Sequence, residues 1–326
     1  MLRRLQCVCT DGTDPYENLA VEEVLLDTVE EGTCILYLWQ NQNTVVIGRN
    51  QNAWKECRVS VLEAEGGHLA RRLSGGGAVF HDLGNLNFTF LMREEDYDLD
   101  RQLTVVETAC RSLGLQAERS GRNDVLVDGR KFSGNAFYHS RGRAYHHGTL
   151  LVDTDGEKLA RYLSPSKAKL QAKGVDSVRS RVVNLAQMVP GLTCSHMARA
   201  MEKAFETVYG LPVEPLSVDG LDRERVAQLR ERNAGADWLF GPRLPLSMEC
   251  EGRFDWGGVQ LQLQVESGTV TAAKVYTDAM QWQLSEELER ALTGSAFSLH
   301  AMCERIRKAG VDHAEDICTL LTEQDL

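Results

Sequence analysis

Arg71-Arg72-Leu73-Ser74-Gly75-Gly76-Gly77-Ala78-Val79-Phe80-His81-Asp82 sets two arginines and three successive glycines between apolar residues, and closes on a histidine and an aspartate. Glycine has no Cβ, so such a run reaches backbone angles closed to other residues and lets a ligand approach the main-chain N–H groups. A loop of N–H groups cradles a carboxylate or a phosphate, and a neighbouring arginine adds charge-assisted, bidentate hydrogen bonds. Three glycines alone read more readily as a surface turn. The flanking arginines and the strand-like return at 85–90 move the reading to an anion site. The spacing matches neither a Walker loop, which needs Gly-Lys-Ser/Thr, nor the dinucleotide fingerprint with its spaced glycines.

Outside this segment the composition is that of a soluble globular chain. Its 326 residues suffice for two domains. A formal net charge of -11 argues against a role in coating nucleic acid or an anionic membrane, so any basic function must be a local pocket. The first twenty residues lack the apolar core of a signal peptide, and no apolar run is long enough for a membrane span. The nine cysteines include no Cys-x-x-Cys pair and read as free thiols of a reducing, cytoplasmic compartment. Cys7 and Cys9 are read as two positions on one face of a first strand rather than as a metal or redox pair.

Asp14-Pro15-Tyr16-Glu17 is a helix start, with aspartate as cap and proline at the first helical position, and Gly32 suits the stop. Strands are predicted over 34–39 and 44–47, joined by the polar turn 40–43, and a helix over 99–113. Asp128-Gly129 predicts a tight hairpin, since both central positions of the preferred turn need positive φ. It would hold Lys131 on a strand just past the turn. A strand is expected over 145–152, and helices over 156–163, 195–209 and 221–232. A boundary falls near Gly241-Pro242-Arg243-Leu244-Pro245. Beyond it, short antiparallel strands with turns at Gly257-Gly258 and Ser267-Gly268 and two or three amphipathic helices predict a small α+β unit.

Lys131 is flanked by small polar segments, Gly121-Arg122-Asn123-Asp124 and Ser133-Gly134-Asn135, which leave room for a ligand. A pocketed ammonium is a point charge suited to a carboxylate and a phosphoryl oxygen at once. His146 and His147, adjacent on a strand, point to opposite faces and cannot both enter one site. His81 is read as positioning the glycine loop rather than moving a proton. Asn123-Asp124 reads equally as a magnesium site or as an Asx turn. The basic stretch 172–181 falls in a long irregular segment of the kind that often forms a binding loop.

Taken together, these segments resemble the bacterial lipoate–protein ligase A family of the biotin/lipoate ligase superfamily. The resemblance rests on Thr44-Val45-Val46-Ile47-Gly48-Arg49 with Gln51 to Cys57, on the run from Arg71 to Asp82, on Gly121 to Asp124, Asp128 to Gly134 and His146 to Leu150, on Lys173 to Arg181, and on Phe254-Asp255-Trp256-Gly257-Gly258. It spans essentially the whole chain. It implies an α+β catalytic domain over 1–243, with a central mixed sheet flanked by helices, and a small accessory domain over 246–326. The implied reaction joins lipoate to ATP with Mg2+, giving lipoyl-AMP and pyrophosphate. The lipoyl group then passes to a lysine of an apo lipoyl domain or of the glycine cleavage H protein. Octanoate is a further candidate substrate.

The same resemblance implies residue roles. Lys131 would contact both the lipoate carboxyl and the α-phosphate. Arg72, Gly77, Ala78, Val79 and Phe80, with Gly174, Val175, Asp176 and Ser177, would receive the nucleotide. Arg71, Ser74, Gly75, Gly76, His81 and His147 would lie on the lipoate side, and Asn123 and Asp124 near magnesium and phosphate. A monomer is expected, with no zinc or iron site. The alternatives are an octanoyl or lipoyl transferase of the same fold that works without ATP, and a non-catalytic lipoate-binding protein.

Overall fold

A computed structural model describes residues 2–121, 123–164, 182–241 and 245–324. The chain opens with strand β1 (Arg4–Cys9) and helix α1 (Pro15–Thr28). The Asp14 carboxylate accepts from the Tyr16 amide and proline fills the first turn, so the predicted start is where the helix begins. It ends before Gly32, because Val29 turns extended. There follow β2 (Thr33–Trp39), β3 (Thr44–Ile47), the short helices α2 (Ala53–Glu56) and α3 (Val59–Ala64), β4 (His68–Arg71), β5 (Val79–His81) and β6 (Asn85–Arg93). Next come α4 (Leu99–Ser112), β7 (Ala117–Ser120), β8 (Asp124–Val127), β9 (Arg130–Ser140), β10 (Arg143–Leu151), α5 (Gly156–Tyr162), α6 (Cys194–Tyr209), β11 (Val213–Pro215), α7 (Arg223–Ala234) and α8 (Ala236–Phe240). The C-terminal part holds β12 (Met248–Phe254), β13 (Gly257–Glu266), β14 (Thr269–Thr277), α9 (Leu284–Leu292), α10 (Leu299–Lys308) and α11 (Ala314–Thr322).

The large sheet is mixed, in the order β11-β1-β2-β6-β10-β9-β8-β7. β1 pairs parallel with β2 and β11, and the remaining pairs are antiparallel. β2 is buried along its whole length. Cys34, Leu36 and Leu38 join a core with Val105, Val106 and Ala109 of α4 and Met197, Met201 and Phe205 of α6. Ile35, Tyr37 and Trp39 point the other way, towards Leu25 and Leu26 of α1 and Val46 of β3. Alternation on a strand buried on both faces thus makes a helix–sheet–helix sandwich.

The turn at 40–43 does not close a hairpin. β2 already has β1 and β6 as neighbours, so β3 leaves for a separate sheet, β4-β3-β5. The 128–129 hairpin forms as predicted, with φ of 50° at Asp128 and 71° at Gly129. The C-terminal part builds its own core of Trp256, Leu261, Leu263, Leu288, Met302, Ile306 and Leu321 under the antiparallel β12-β13-β14 sheet. It rests on the N-terminal part through the Thr277 amide on the Asn50 carbonyl (2.9 Å) and the Asn50 side-chain amide on the Trp282 carbonyl (2.6 Å). All nine cysteines are unpaired.

Candidate active site

The site lies between the two sheets, where the glycine run leaves β4 and returns as β5. Successive residues of an extended chain point to opposite sides, and this separates the two arginines. Arg71 turns away. Its guanidinium donates to the carbonyls of Gly48, Arg49, Gln51, Trp238 and Leu239, so it ties the glycine loop to α8 and lines a different cavity. Arg71, which the resemblance places on the lipoate side, is engaged by backbone carbonyls and does not line the cavity described below. Arg72 turns inward. It donates to the carbonyls of Gly75 (2.7 Å), Gly77 (2.7 Å) and Val46 (3.3 Å), and to Ser74 Oγ (3.0 Å). The loop is wrapped around this cation. Burial pushes both guanidinium groups down, to about 10, so both stay charged at neutral pH.

From Arg72 a directed chain runs to a buried carboxylate. Ser74 Oγ, having accepted from Arg72 Nε, lies 2.7 Å from His147 Nε2, and His147 Nδ1 lies 2.9 Å from Glu22 Oε1. Glu22 also accepts from Thr89 Oγ1 (2.7 Å). A carboxylate can only accept, so His147 donates from Nδ1 to Glu22, and its Nε2 faces the Ser74 hydroxyl. Glu22 escaped the sequence reading. The available signal was an acid one turn from Leu19 and Leu26, on the apolar face of α1.

Lys131 enters from β9. Its Nζ pairs with Asp124 Oδ1 at 2.6 Å, and both side chains are about one-third exposed. Gly134 gives it room: a Cβ there would stand 3.0 Å from Nζ. Asn123 donates to the Asn135 carbonyl (3.1 Å), and Asn135 donates back to the Asn123 carbonyl (3.0 Å), locking the two segments that flank the lysine. His146 faces away from His147, as strand alternation requires, and lies 3.0 Å from Gln102 Oε1 and 2.8 Å from Asn135 Oδ1. Burial lowers it to about 3, so it is neutral and buttresses Asn135.

Arg72, Asn123, Lys131, Gly134, Asn135 and His147 line a cavity of about 140 Å3. Lys131, Asn123 and Gly77 lie on its half-exposed side. Leu19, Trp39, Val46, His81 and Asn87 form its buried end. Val79 and His81 face in, whereas the Phe80 side chain packs on Tyr162 with ring centroids 5.4 Å apart. Gly76 and Ala78 line the cavity too, but Gly75 does not. A Cβ on Gly75 would meet the Ala279 and Met280 carbonyls at 2.5 Å, and the Gly76 amide donates to the Ala279 carbonyl (2.9 Å). The bareness of Gly75 serves the C-terminal unit. Gly174, Val175, Asp176 and Ser177 lie outside the described residues. Among the described residues, no three His, Cys, Asp or Glu side chains converge on one point.

Trp39 and Asn87 were also missed. β6 runs Asn85-Leu86-Asn87-Phe88-Thr89-Phe90, a period-two pattern whose polar face is buried. Alternation was legible, but nothing in one sequence distinguishes a polar face turned to solvent from one turned to a ligand.

Comparison with known proteins agrees with this geometry. The family described as "Lipoyl protein ligase A/B catalytic domain" matches residues 14–206, and "Bacterial lipoate protein ligase C-terminus" matches residues 245–324. A lipoate-protein ligase A of Bdellovibrio bacteriovorus is 40% identical over 323 residues, covering 96% of this chain and 95% of that protein. In fold, the chain resembles LipL1 of P. falciparum, solved in complex with lipoate, with a TM-score of 0.86 at 24% identity over 98% of this chain and 100% of that one. A bipartite lipoate protein ligase of Thermoplasma acidophilum, solved with its E2 lipoyl domain, gives 0.63 at 26% identity over 76% and 100%. A lipoate-protein ligase A bound with ATP gives 0.61 at 25% identity over 74% and 99%. With a catalytic and a C-terminal family match and a 40% identical relative of the same length, the chain belongs to the lipoate–protein ligase A family and is a ligase.

Proposed function

We propose that this enzyme activates lipoate with ATP and transfers the lipoyl group to a lysine of an apo lipoyl domain or of the glycine cleavage H protein. The observation that carries this reading is the polarity of one cavity. An apolar, buried end (Leu19, Trp39, Val46) suits an alkyl chain, and a cationic end (Lys131) meets the glycine loop at Gly76 and Gly77. A carboxylate does not acylate an amine at neutral pH, because its oxygen is a poor leaving group. AMP is a good one, which is why the adenylate is needed.

In the first step a lipoate oxygen attacks the α-phosphorus; the new O–P bond forms as the α–β bond breaks, and pyrophosphate leaves. Lys131, held at the mouth by Asp124, offsets the negative charge shared by carboxylate and phosphate. Arg72 shapes the loop whose Gly77, Ala78 and Val79 backbone faces the phosphates. His147, backed by Ser74, walls the lipoyl side. In the second step the acceptor amine attacks the acyl carbon, an amide bond forms, and AMP departs with the bridging oxygen. Asp124 suits magnesium, which binds through one or two carboxylates together with phosphate oxygens. When bound, the ion would draw charge from the departing pyrophosphate. The described cavity lining holds no cysteine, which counts against a thiol-dependent transferase.

This reading makes residues 1–243 the catalytic part and 246–326 an accessory unit of a cytoplasmic monomer. Its test is lipoate-dependent exchange of labelled pyrophosphate into ATP, followed by transfer to apo lipoyl domain. Lys131→Ala should lower exchange by roughly a thousandfold with an unchanged melting temperature. Exchange close to that of the parent protein would remove Lys131 from the chemistry, and absence of exchange in the parent would overturn the ATP-dependent reading.

A further inference from the structure

The buried end of the cavity is not purely apolar. Two polar side chains face into it, His81 (3% exposed) and Asn87 (2% exposed). The hydrogen-bond network fixes what His81 presents. Asn18 Nδ2 donates to the carbonyls of Gly12 and Gln40 and to Asn41 Oδ1. The amide of Asn41 is thereby oriented with Nδ2 towards His81 Nδ1, at 3.2 Å. His81 Nδ1 is then an acceptor, and the ring proton sits on Nε2. Burial and the neighbouring Arg72 lower His81 to about 3, so the ring stays neutral. Asn87 Oδ1 accepts from Asn85 Nδ2 (2.9 Å), and Nδ2 is its remaining group. Both His81 Nε2 and Asn87 Nδ2 are buried with no hydrogen-bond partner.

Buried donors without a partner are rare because each gives up its hydration and gains no bond in return. A pair of them at the closed end of a substrate cavity asks for acceptors on the substrate. An alkyl terminus has none, whereas the dithiolane ring of lipoate ends in two sulfurs, which are weak acceptors. The geometry points to His81 and Asn87 as the specificity-determining pair that reads the dithiolane sulfurs and selects lipoate over a plain fatty acyl chain such as octanoate. Filling the end with methyl or methylene groups expels water from both donors and returns nothing. Filling it with sulfur satisfies them. This rests on the lipoate reading above and adds to it a choice between substrates.

The test uses 5-cyclopentylpentanoate, the carbocyclic isostere of lipoate in which both sulfurs are methylenes. Binding of lipoate and of the isostere is measured by calorimetry on the intact protein, on Asn87→Leu and on His81→Phe. The parent should bind lipoate at least about tenfold more tightly than the isostere, and the ratio should fall severalfold in each variant through weaker lipoate and stronger isostere binding. Equal affinities in the parent, an experiment that needs no variant to fold, would overturn the proposal. So would a ratio unchanged in both folded variants. Binding of the isostere but not of lipoate would overturn it as well. If neither ligand binds, the lipoate reading itself fails, an outcome distinct from loss of discrimination.

Discussion

Glu22 sits at the root of the chain that ends on the glycine loop, and its two accepted hydrogen bonds converge on one oxygen. Glu22→Gln keeps shape and volume but can present a donor where His147 Nδ1–H and the Thr89 hydroxyl both need an acceptor. His147 would lose its hold on Glu22 and with it the ring orientation that faces Ser74, and Arg72 would lose a well-placed acceptor. The expected outcome is about a tenfold loss of lipoate-dependent kcat/KM, equivalent to one charge-assisted hydrogen bond, with the melting temperature lowered by a few degrees. Steady-state kinetics paired with thermal unfolding checks this. Unchanged kinetics would make the chain a packing feature alone. Arg71 teaches a related lesson at the same scale: in the quoted motif it is indistinguishable from Arg72, yet one cation clamps backbone and the other shapes the cavity.

The glycine loop is an element without regular structure, held by contacts on three sides. Each glycine in it answers a different neighbour. Gly75 lies under the Ala279 and Met280 carbonyls, Gly76 takes a φ of 86°, and a Cβ on Gly77 would meet no protein atom within 4 Å. Gly75→Ala should therefore push the C-terminal unit off the loop and break the bond from the Gly76 amide to the Ala279 carbonyl. Amide exchange at Gly76 should accelerate by about tenfold or more, whereas Gly77→Ala should leave that exchange unaltered. Hydrogen exchange read by mass spectrometry decides between them. Equal protection in both variants would mean that the unit does not hold the loop in solution. The 128–129 hairpin behaves differently, since its turn chemistry is local and sets Lys131 just past the turn.

For the whole molecule the buried histidines set the response to acid. His81 and His146 have pKa values near 3 in the folded chain, against an ordinary value of 6.5. Between these limits the unfolded chain binds protons that the folded chain does not, so stability falls as pH drops from about 6.5 towards 3. Each histidine contributes a slope of up to about 1.4 kcal/mol per pH unit. Urea unfolding at pH 7, 6 and 5 should show this decline, and His146→Asn should reduce the slope that the pair imposes. A slope indifferent to that substitution would mean that other groups govern acid unfolding. The same histidine locks Asn135, so one buried ring serves both the stability of the sheet and the fit of the segments around Lys131.

Sequence alone determined whatever depends on neighbours along the chain. The capped start of α1, the Asp-Gly hairpin, the strands over 34–39 and 85–90, the separate α+β composition beyond residue 245 and the motif around the triglycine run are all local signals. Tertiary structure decided whatever depends on which surfaces meet. It sent β3 to a second sheet, turned Arg71 towards α8, raised Glu22 of α1 to His147 of β10, and brought Ala279 of the C-terminal unit onto Gly76. Periodicity says that a residue lies on a face. Only the packed chain says whether that face looks on solvent, on another layer or into the cavity, because burial is a property of the assembled layers and not of the strand that carries it.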